Sequence, residues 1–116
     1  MEIILSSIGD KGDIKNERIG IKVLKDCDLK YYLVFKTVLD TKGFHNKSKS
    51  TYWFLSQEVK IGDKIVLYTR VGETSIKDNS DGSKTYFFYW GLDAAVFKES
   101  NDKVVLASLK SWKVIP

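Results

Sequence analysis

The sequence has few of the residues that build metal sites and covalent cross-links. Its 116 residues include one cysteine, one histidine and one proline. A disulfide needs two cysteines, so the lone Cys27 excludes an internal disulfide framework and fits a reducing compartment. A structural zinc site needs several cysteine or histidine ligands, and one of each excludes such a site within a single chain. We expect Cys27 to be an inert thiol.

Groups that could carry catalysis are equally scarce. The single histidine, His45, lies in a polar, lysine-rich segment, and we expect it to be an exposed loop residue. Neither the phosphate-binding P-loop signature nor the dinucleotide-binding glycine pattern occurs. We therefore expect that the protein is not an enzyme and that it has no catalytic residue and no cofactor. A hydrolytic enzyme is the least favoured function, because no catalytic groups cluster along the sequence.

Long apolar runs are also missing. At the start of the chain the acidic Glu2 precedes an apolar run of three residues, which does not match a secretory signal. No later run approaches the length of about 20 residues that a membrane-spanning helix requires. The sequence thus predicts a soluble protein without membrane insertion, and we expect a cytoplasmic location.

Neither sign of charge dominates the chain. The 19 basic and 15 acidic residues are mixed and give a net charge of +4. This balance is compatible with a polyanionic partner, but it is also typical of an ordinary solvated surface. The acidic loops around Asp10, Asp13, Asp78 and Asp81 offer oxygen ligands, but their spacing does not match a calcium-binding EF-hand loop. We expect solvated turns there and no metal site.

Aromatic and β-branched residues, in contrast, are abundant and alternate with polar residues. This period of two is typical of half-buried strands, and no window sustains a helical period. About eight or nine short strands at regular spacing indicate an all-β sandwich or barrel formed by residues 1–116 as one domain. The expected strands are residues 3–5, 18–24, 31–39, 51–55, 64–69, 86–97, 103–107 and 111–115.

Two of these segments are expected to build the centre of the fold. Residues 64–69 follow a Gly-Asp turn, and residues 86–97 open with the densest aromatic block of the chain. We assign Leu67, Phe88 and Trp90 to the core, because they lie within these apolar runs. Either the side with Phe88 or the side with Tyr89 faces the core, and the other side is free to be exposed. The polar stretch from Gly72 to Thr85 between the two segments is expected to be a mobile loop.

Several blocks of the chain also match the pattern of a known family. They are Gly62-Asp63-Lys64-Ile65-Val66-Leu67-Tyr68-Thr69 with Gly72, Tyr89-Trp90-Gly91-Leu92 with Ala95-Val96-Phe97, Asp102-Lys103-Val104-Val105-Leu106, and the early segment 16–22. With these blocks the sequence resembles the lamin tail domain, a small immunoglobulin-like β-sandwich. The resemblance implies a non-enzymatic binding or structural module, since members of that family serve as binding or anchoring domains and some contact DNA or chromatin.

The alternative function is a nucleic-acid-binding small β-barrel. Aromatic side chains on a sheet stack with bases, and neighbouring cations contact phosphates. The residues proposed for a binding surface, whether for a protein or for nucleic acid, combine these two chemistries. They are Lys42, Lys47, Lys49, Trp53, Arg70 and Tyr89.

Overall fold

The computed structural model describes residues 1–46 and 50–116, and its fold is all-β, as predicted. In the described part the only helix is a single 3-10 turn, Leu29–Tyr31, so no helix there is long and apolar enough to cross a membrane. The strands are β1 (Ile3–Gly9), β2 (Arg18–Val23), β3 (Cys27–Asp28), β4 (Tyr32–Asp40), β5 (Gly43–Phe44), β6 (Ser50–Trp53), β7 (Glu58–Val59), β8 (Lys64–Tyr68), β9 (Ser75–Asp78), β10 (Lys84–Tyr89) and β11 (Asp102–Ser108).

Five strands form the first sheet, in the order β1-β2-β8-β10-β9. All neighbours in it are antiparallel except β8 and β10, which are parallel. The turn before β8 fixes this pair. Gly62 adopts a φ of +91°, a conformation that favours glycine, and the buried Asp63 carboxylate accepts hydrogen bonds from the N–H groups of Lys60 and Lys84, each at 2.9 Å. Asp63 therefore ties the turn before β8 to the start of β10.

The second sheet is centred on β4. β11 pairs along its whole length with one edge of β4, and β6 and β5 pair with the other edge of β4. A short antiparallel ladder of β3 and β7 lies apart from both sheets. Asp28 stabilises this region, because its carboxylate accepts hydrogen bonds from the N–H groups of Lys30 and Gln57 and from the Ser56 hydroxyl.

The two sheets pack together around one apolar core. Leu67 and Phe88 are buried there, as predicted, and the side of β10 that bears Phe88 faces the core, so Phe87 and Tyr89 point away from it. The inner residues of both sheets alternate with outer ones, as the period of a strand requires. Further buried residues of the core are Ile3, Ile19, Ile21, Val23, Leu29, Tyr32, Val34, Phe54, Val59, Ile65, Tyr86, Val96 and Phe97.

Trp90 departs from the prediction. It packs against the core, but it was expected to be buried in mid-strand, whereas β10 ends at Tyr89 and Trp90 is partly exposed. Its N–H donates to the carbonyl of Tyr68 at 2.8 Å, and Gly91 then turns the chain with a φ of +84°. Because this turn ends the ladder, residues 90–101 run outside the strands instead of extending β10.

Two other segments also differ from the sequence prediction. The polar stretch 72–85 contains β9, which pairs with β10 from Lys84 to Phe87, so it is a hairpin arm rather than an irregular loop. Residues 111–115 were expected to form a strand, but none is present there. In both places the local sequence did not reveal whether a partner strand was within reach.

Candidate binding surfaces

The structure distributes the proposed binding residues over two sheets. Arg70 and Tyr89 lie together on the outer side of the five-stranded sheet. Trp53 lies on β6 of the other sheet, opposite Leu33, and Lys42 is exposed in the turn between β4 and β5. Lys47 and Lys49 lie outside the described residues. The described residues therefore belong to two separate surfaces.

On the five-stranded sheet, Arg70 caps a pair of tyrosine rings. Tyr68 and Tyr89 are neighbours across β8 and β10, with ring centroids 5.4 Å apart and planes only 10° from parallel. The Arg70 guanidinium lies 5.1 Å and 5.0 Å from the two centroids, within cation–π range. It also donates to the carbonyls of Lys15 and Val71. Arg70 thus holds two loops against the aromatic pair.

These rings already have neighbours at stacking distance. A Cβ atom added to Gly72 would overlap the Tyr89 ring, so the Gly72 backbone must lie directly against it. Phe87 stacks on the other side of the cluster, 6.4 Å from Tyr68. A base would have to compete with these contacts before it could stack on the rings.

Cations surround this aromatic cluster, but acidic side chains accompany several of them. Lys22, Lys64 and Lys77 form a row across the sheet, with Thr85 between the last two. At the opposite end of the sheet Arg18 forms an ion pair of 2.6 Å with Asp10. Near the row, hydrogen bonds from Ser83, together with the charge of Lys64, lower the pKa of Asp81. The face is basic, but part of its charge is compensated locally.

The outer face of the four-stranded sheet is apolar. In β4 the alternation places Tyr32 and Val34 in the core and Leu33 and Phe35 on the opposite side. β6 and β11 add their own outward residues directly beside these, as the pairing of Trp53 with Leu33 shows. We call this surface the outer apolar patch, and its members are Leu33, Phe35, Phe44, Trp53, Val105 and Ala107.

A cavity opens into the outer apolar patch. It has a volume of about 510 Å³, and Leu33, Phe35, Phe44 and Val105 supply its apolar lining. His45 lies at its border, where its Nε2 atom is 2.7 Å from an Asp40 carboxylate oxygen. This hydrogen bond lowers the pKa of Asp40. The cavity is thus an apolar depression with one polar corner.

At its other end the patch continues from its own Trp53 to two further exposed aromatic rings. The Trp53 and Trp112 rings meet edge to face at 5.1 Å, and Tyr31 contacts Trp112 at 5.6 Å. Each ring remains about 40% exposed: Trp53 43%, Trp112 40% and Tyr31 42%. Trp53 Nε1 donates to the carbonyl of Lys30, whose ammonium group lies over the Tyr31 ring. The patch therefore ends in aromatic groups that are held in place and still accessible.

Of the residues in this patch, the sequence predicts only Trp53 as a binding residue. The alternation within residues 31–39 predicts a long strand with one strongly apolar side, the side of Leu33 and Phe35. The signal that could have revealed the patch is that Leu33, Phe35 and Leu39 make this side at least as apolar as the core side. An antiparallel sheet commonly has one side on the core and the other in solvent, so a second apolar side on such a strand indicates a further contact.

A second cavity, of about 530 Å³, lies beside the only cysteine. Glu2, Cys27, Asp28 and Tyr32 line it, and the Tyr32 hydroxyl donates to the Glu2 carboxylate. Burial raises the pKa of the Cys27 thiol, and the nearby carboxylates of Glu2 and Asp28 raise it further. Since the thiolate is the nucleophile, this environment disfavours a reactive cysteine. Among residues 1–46 and 50–116, no three His, Cys, Asp or Glu side chains are placed to hold a metal ion.

Comparison with known proteins adds no relative to these observations. No protein-family model, no curated protein and no solved structure matches the chain.

Proposed function

We propose that the chain is a non-enzymatic binding module that resembles a lamin tail domain with an immunoglobulin-like sandwich, and that it binds a protein partner through the outer apolar patch. The observation that carries the proposal is the accessible apolar side of β4, with its cavity and its bordering aromatic rings. Contiguous exposed apolar surface of this kind marks interaction sites in proteins. Aromatic residues at its border are typical of the anchor positions of interfaces.

The charges at the border define the chemistry of the partner. Lys103 projects from β11 opposite Thr37, which lines the cavity, and Lys30 lies over the Tyr31 ring. Lys42 is exposed in the adjoining turn. An apolar peptide segment flanked by acidic residues would match this surface, because its side chains fill the cavity while its carboxylates approach the lysines.

A displayed library of random peptides tests this proposal with a defined probe. We expect the protein to enrich apolar sequences with acidic flanks, and we expect Phe44→Lys to weaken the binding of these peptides at least about tenfold. Phe44 is 63% exposed, so this substitution removes an apolar contact with little effect on folding.

Ile61→Lys is the matched control, since Ile61 is 69% exposed but lies outside the outer apolar patch. Peptide binding should survive this change. The proposal would be contradicted if the peptides bound Phe44→Lys and Ile61→Lys as tightly as they bind the unmodified protein. A library that yields no enriched sequence would also contradict it.

Nucleic-acid binding is the second candidate function, and the observation in its favour is the aromatic and basic face of the five-stranded sheet. Tyr68, Phe87 and Tyr89 lie there beside Arg70 and the row of three lysines. We place it second because the tyrosine rings already contact Arg70 and Gly72, and because acidic side chains compensate part of the charge.

A titration with short labelled single and double strands at two salt concentrations separates the two functions. Nucleic-acid binding through the lysine row predicts an affinity that falls with salt, and replacing Lys22, Lys64 and Lys77 by glutamine should reduce the log–log slope by about 2 for single strands. The same replacement at Lys42, Lys47 and Lys49 tests the surface expected from sequence. A protein-binding module should give no nucleic-acid binding signal at tens of micromolar protein. Weak non-specific binding to nucleic acid would already be detected in this concentration range.

A further inference from the structure

The first strand forms an edge without charged side chains or proline. The five-stranded sheet ends at β1 on one side and at β9 on the other. β9 carries Lys77 and Asp78, the kind of charges with which proteins protect an open edge. β1 spans the seven residues Ile3–Gly9 and contains neither a charge nor a proline. Its outward backbone groups are therefore protected by neither charge nor proline, and the only irregularity of the strand is a β-bulge.

The core is also open beside this edge. A groove of about 350 Å³ runs along β1, and its lining includes Leu5, Ile8 and, from β11 of the other sheet, Val104. Leu5 pairs with Ile21 and Ile8 pairs with Ile19, so both side chains lie on the core side of β1. They nevertheless remain 39% and 38% exposed. The two sheets thus leave a gap at this side of the molecule, lined by these apolar side chains and bordered by Lys11.

A β-bulge aligns the two exposed side chains. The register of β1 against β2 shifts between Leu5 and Ser7. Such an extra residue reverses the alternation beyond it, so Leu5 and Ile8 point to the same side although they are three residues apart. Without the bulge, one of them would point away from the groove.

We infer that β1 pairs with β1 of a second copy of this chain, antiparallel and about a two-fold axis, so that the two five-stranded sheets become continuous. A two-fold interface must be complementary to itself, and an uncharged strand meets its own copy without like-charge repulsion. In one register, Leu5 of each copy lies opposite Ile8 of the other copy. The two Leu5–Ile8 pairs then lie over the grooves of both copies and cover them.

The charges that flank β1 favour this arrangement. Glu2 precedes the strand and Lys11 follows it closely, and both are exposed. Antiparallel pairing in this register brings Glu2 of one copy to Lys11 of the other at each end of the interface. A parallel arrangement would bring like charges together, which costs free energy. The flanking charges of the chain are thus complementary to those of a second copy that pairs in this way.

Sedimentation velocity over a roughly hundredfold range of protein concentration tests this pairing directly. We expect a monomer–dimer equilibrium for the unmodified protein and a monomer for Ile4→Lys, which places a charge on β1 at a side chain that is already 41% exposed. Ile76→Lys is the matched control, because Ile76 is 53% exposed on β9, the opposite edge strand, and its replacement should leave the dimer intact. Thermal melts of all three proteins establish that each is folded.

Charge reversal tests the antiparallel register. Lys11→Glu should weaken the dimer about tenfold, and combining it with Glu2→Lys should restore most of the loss. An unmodified protein that stays monomeric throughout would overturn the inference and leave the edge to an extended peptide of another protein. A dimer that resists Ile4→Lys, or a double reversal that restores nothing, would also overturn it. None of these variants changes the outer apolar patch, so this outcome is independent of the proposed function.

Discussion

At the scale of single residues, buried carboxylates organise the loops of this protein. Glu17 is fully buried, and its two oxygens accept hydrogen bonds from the N–H groups of Gly12, Val96 and Phe97 at 2.8, 2.7 and 3.1 Å. Gly12 lies between β1 and β2, whereas Val96 and Phe97 lie between β10 and β11. Glu17 therefore joins the loop after β1 to the irregular segment before β11. A carboxylate suits this position because it accepts several N–H donors and offers none.

Glu17→Gln should lower the free energy of unfolding by about 3 kcal/mol, because the amide turns a donor toward the backbone N–H groups and leaves at least one of them without an acceptor. Chemical denaturation of the two proteins measures this loss. Glu73→Gln is the control, since Glu73 is exposed, and its effect should stay within about 0.5 kcal/mol. A loss below about 1 kcal/mol for Glu17→Gln would mean that the loops find other acceptors.

Asp102 is expected to make the protein sensitive to acid. Burial alone would raise the pKa of this carboxyl group, but hydrogen bonds from the N–H groups of Glu99 and Lys98 and the charge of Lys36, 3.6 Å away, lower it. A lowered pKa in the folded state means that the unfolded chain binds a proton first as the pH falls. The stability that Asp102 contributes is therefore complete above its ordinary pKa and is lost as the pH falls through the lowered one.

Asp102→Asn should accordingly destabilise the protein at neutral pH, with a difference from the unmodified protein that shrinks below about pH 4. Urea denaturation of both proteins at neutral and at acidic pH measures the two differences. A difference that stays constant down to about pH 2 would show that Asp102 acts through its shape and not through its charge.

At the scale of elements, the hairpin arm of β9 and β10 has a structural role that its polar composition conceals. β9 covers the edge of β10, and Asn79 at its end donates to the hydroxyls of Ser83 and Thr85. Gly82 completes the turn with a φ of +88°. All four residues of β9 are exposed, so the arm stabilises β10 through backbone pairing more than through burial.

Replacing β9 and its turn by a short glycine–serine linker should lower the melting temperature by about 4 °C or more, because β10 loses its ladder and becomes an exposed edge. Differential scanning calorimetry provides the measurement. The control is Ile76→Ser, which keeps the backbone pairing and should have a smaller effect. An unchanged melting temperature in the shortened protein would support the mobile, dispensable loop that the composition alone suggests.

At the scale of the whole molecule, distant parts of the chain form the sheets. β4 pairs with β11 from Tyr32 and Ser108 at one end to Val38 and Asp102 at the other. β8 meets β10 only after the chain has passed through the hairpin arm. Pairing between residues so far apart closes long loops before stabilising contacts form, which slows folding.

Refolding is therefore expected in milliseconds to seconds, the range of proteins dominated by non-local strand pairing. It should lack a slow phase of tens of seconds, because the single proline is the last residue, Pro116, beyond every strand. Stopped-flow fluorescence of the three tryptophans follows the reaction. A slow phase that a prolyl isomerase accelerates would contradict this expectation.

The sequence by itself determined the class of the fold and the position of five of the eleven strands of the described part. Alternation of apolar and polar residues located β2, β4, β6, β8 and β11 to within about two residues, since a half-buried strand requires this period. The Gly62-Asp63 turn was recognised because few residues suit its conformation. Leu67 and Phe88 were assigned to the core because they lie within apolar strands. Each of these conclusions depends on neighbours in sequence.

Only the tertiary structure decided which sides of the strands meet and which stay outside. Both sides of β4 are apolar, and nothing local distinguishes Val34, which is buried, from Phe35, which lines the outer cavity. Arg70 and Tyr89 come together through the parallel pairing of β8 and β10, while Trp53 lies on the other sheet. The physical reason is that alternation defines two sides of a strand, whereas burial depends on what packs against each side, and that partner comes from a distant part of the chain.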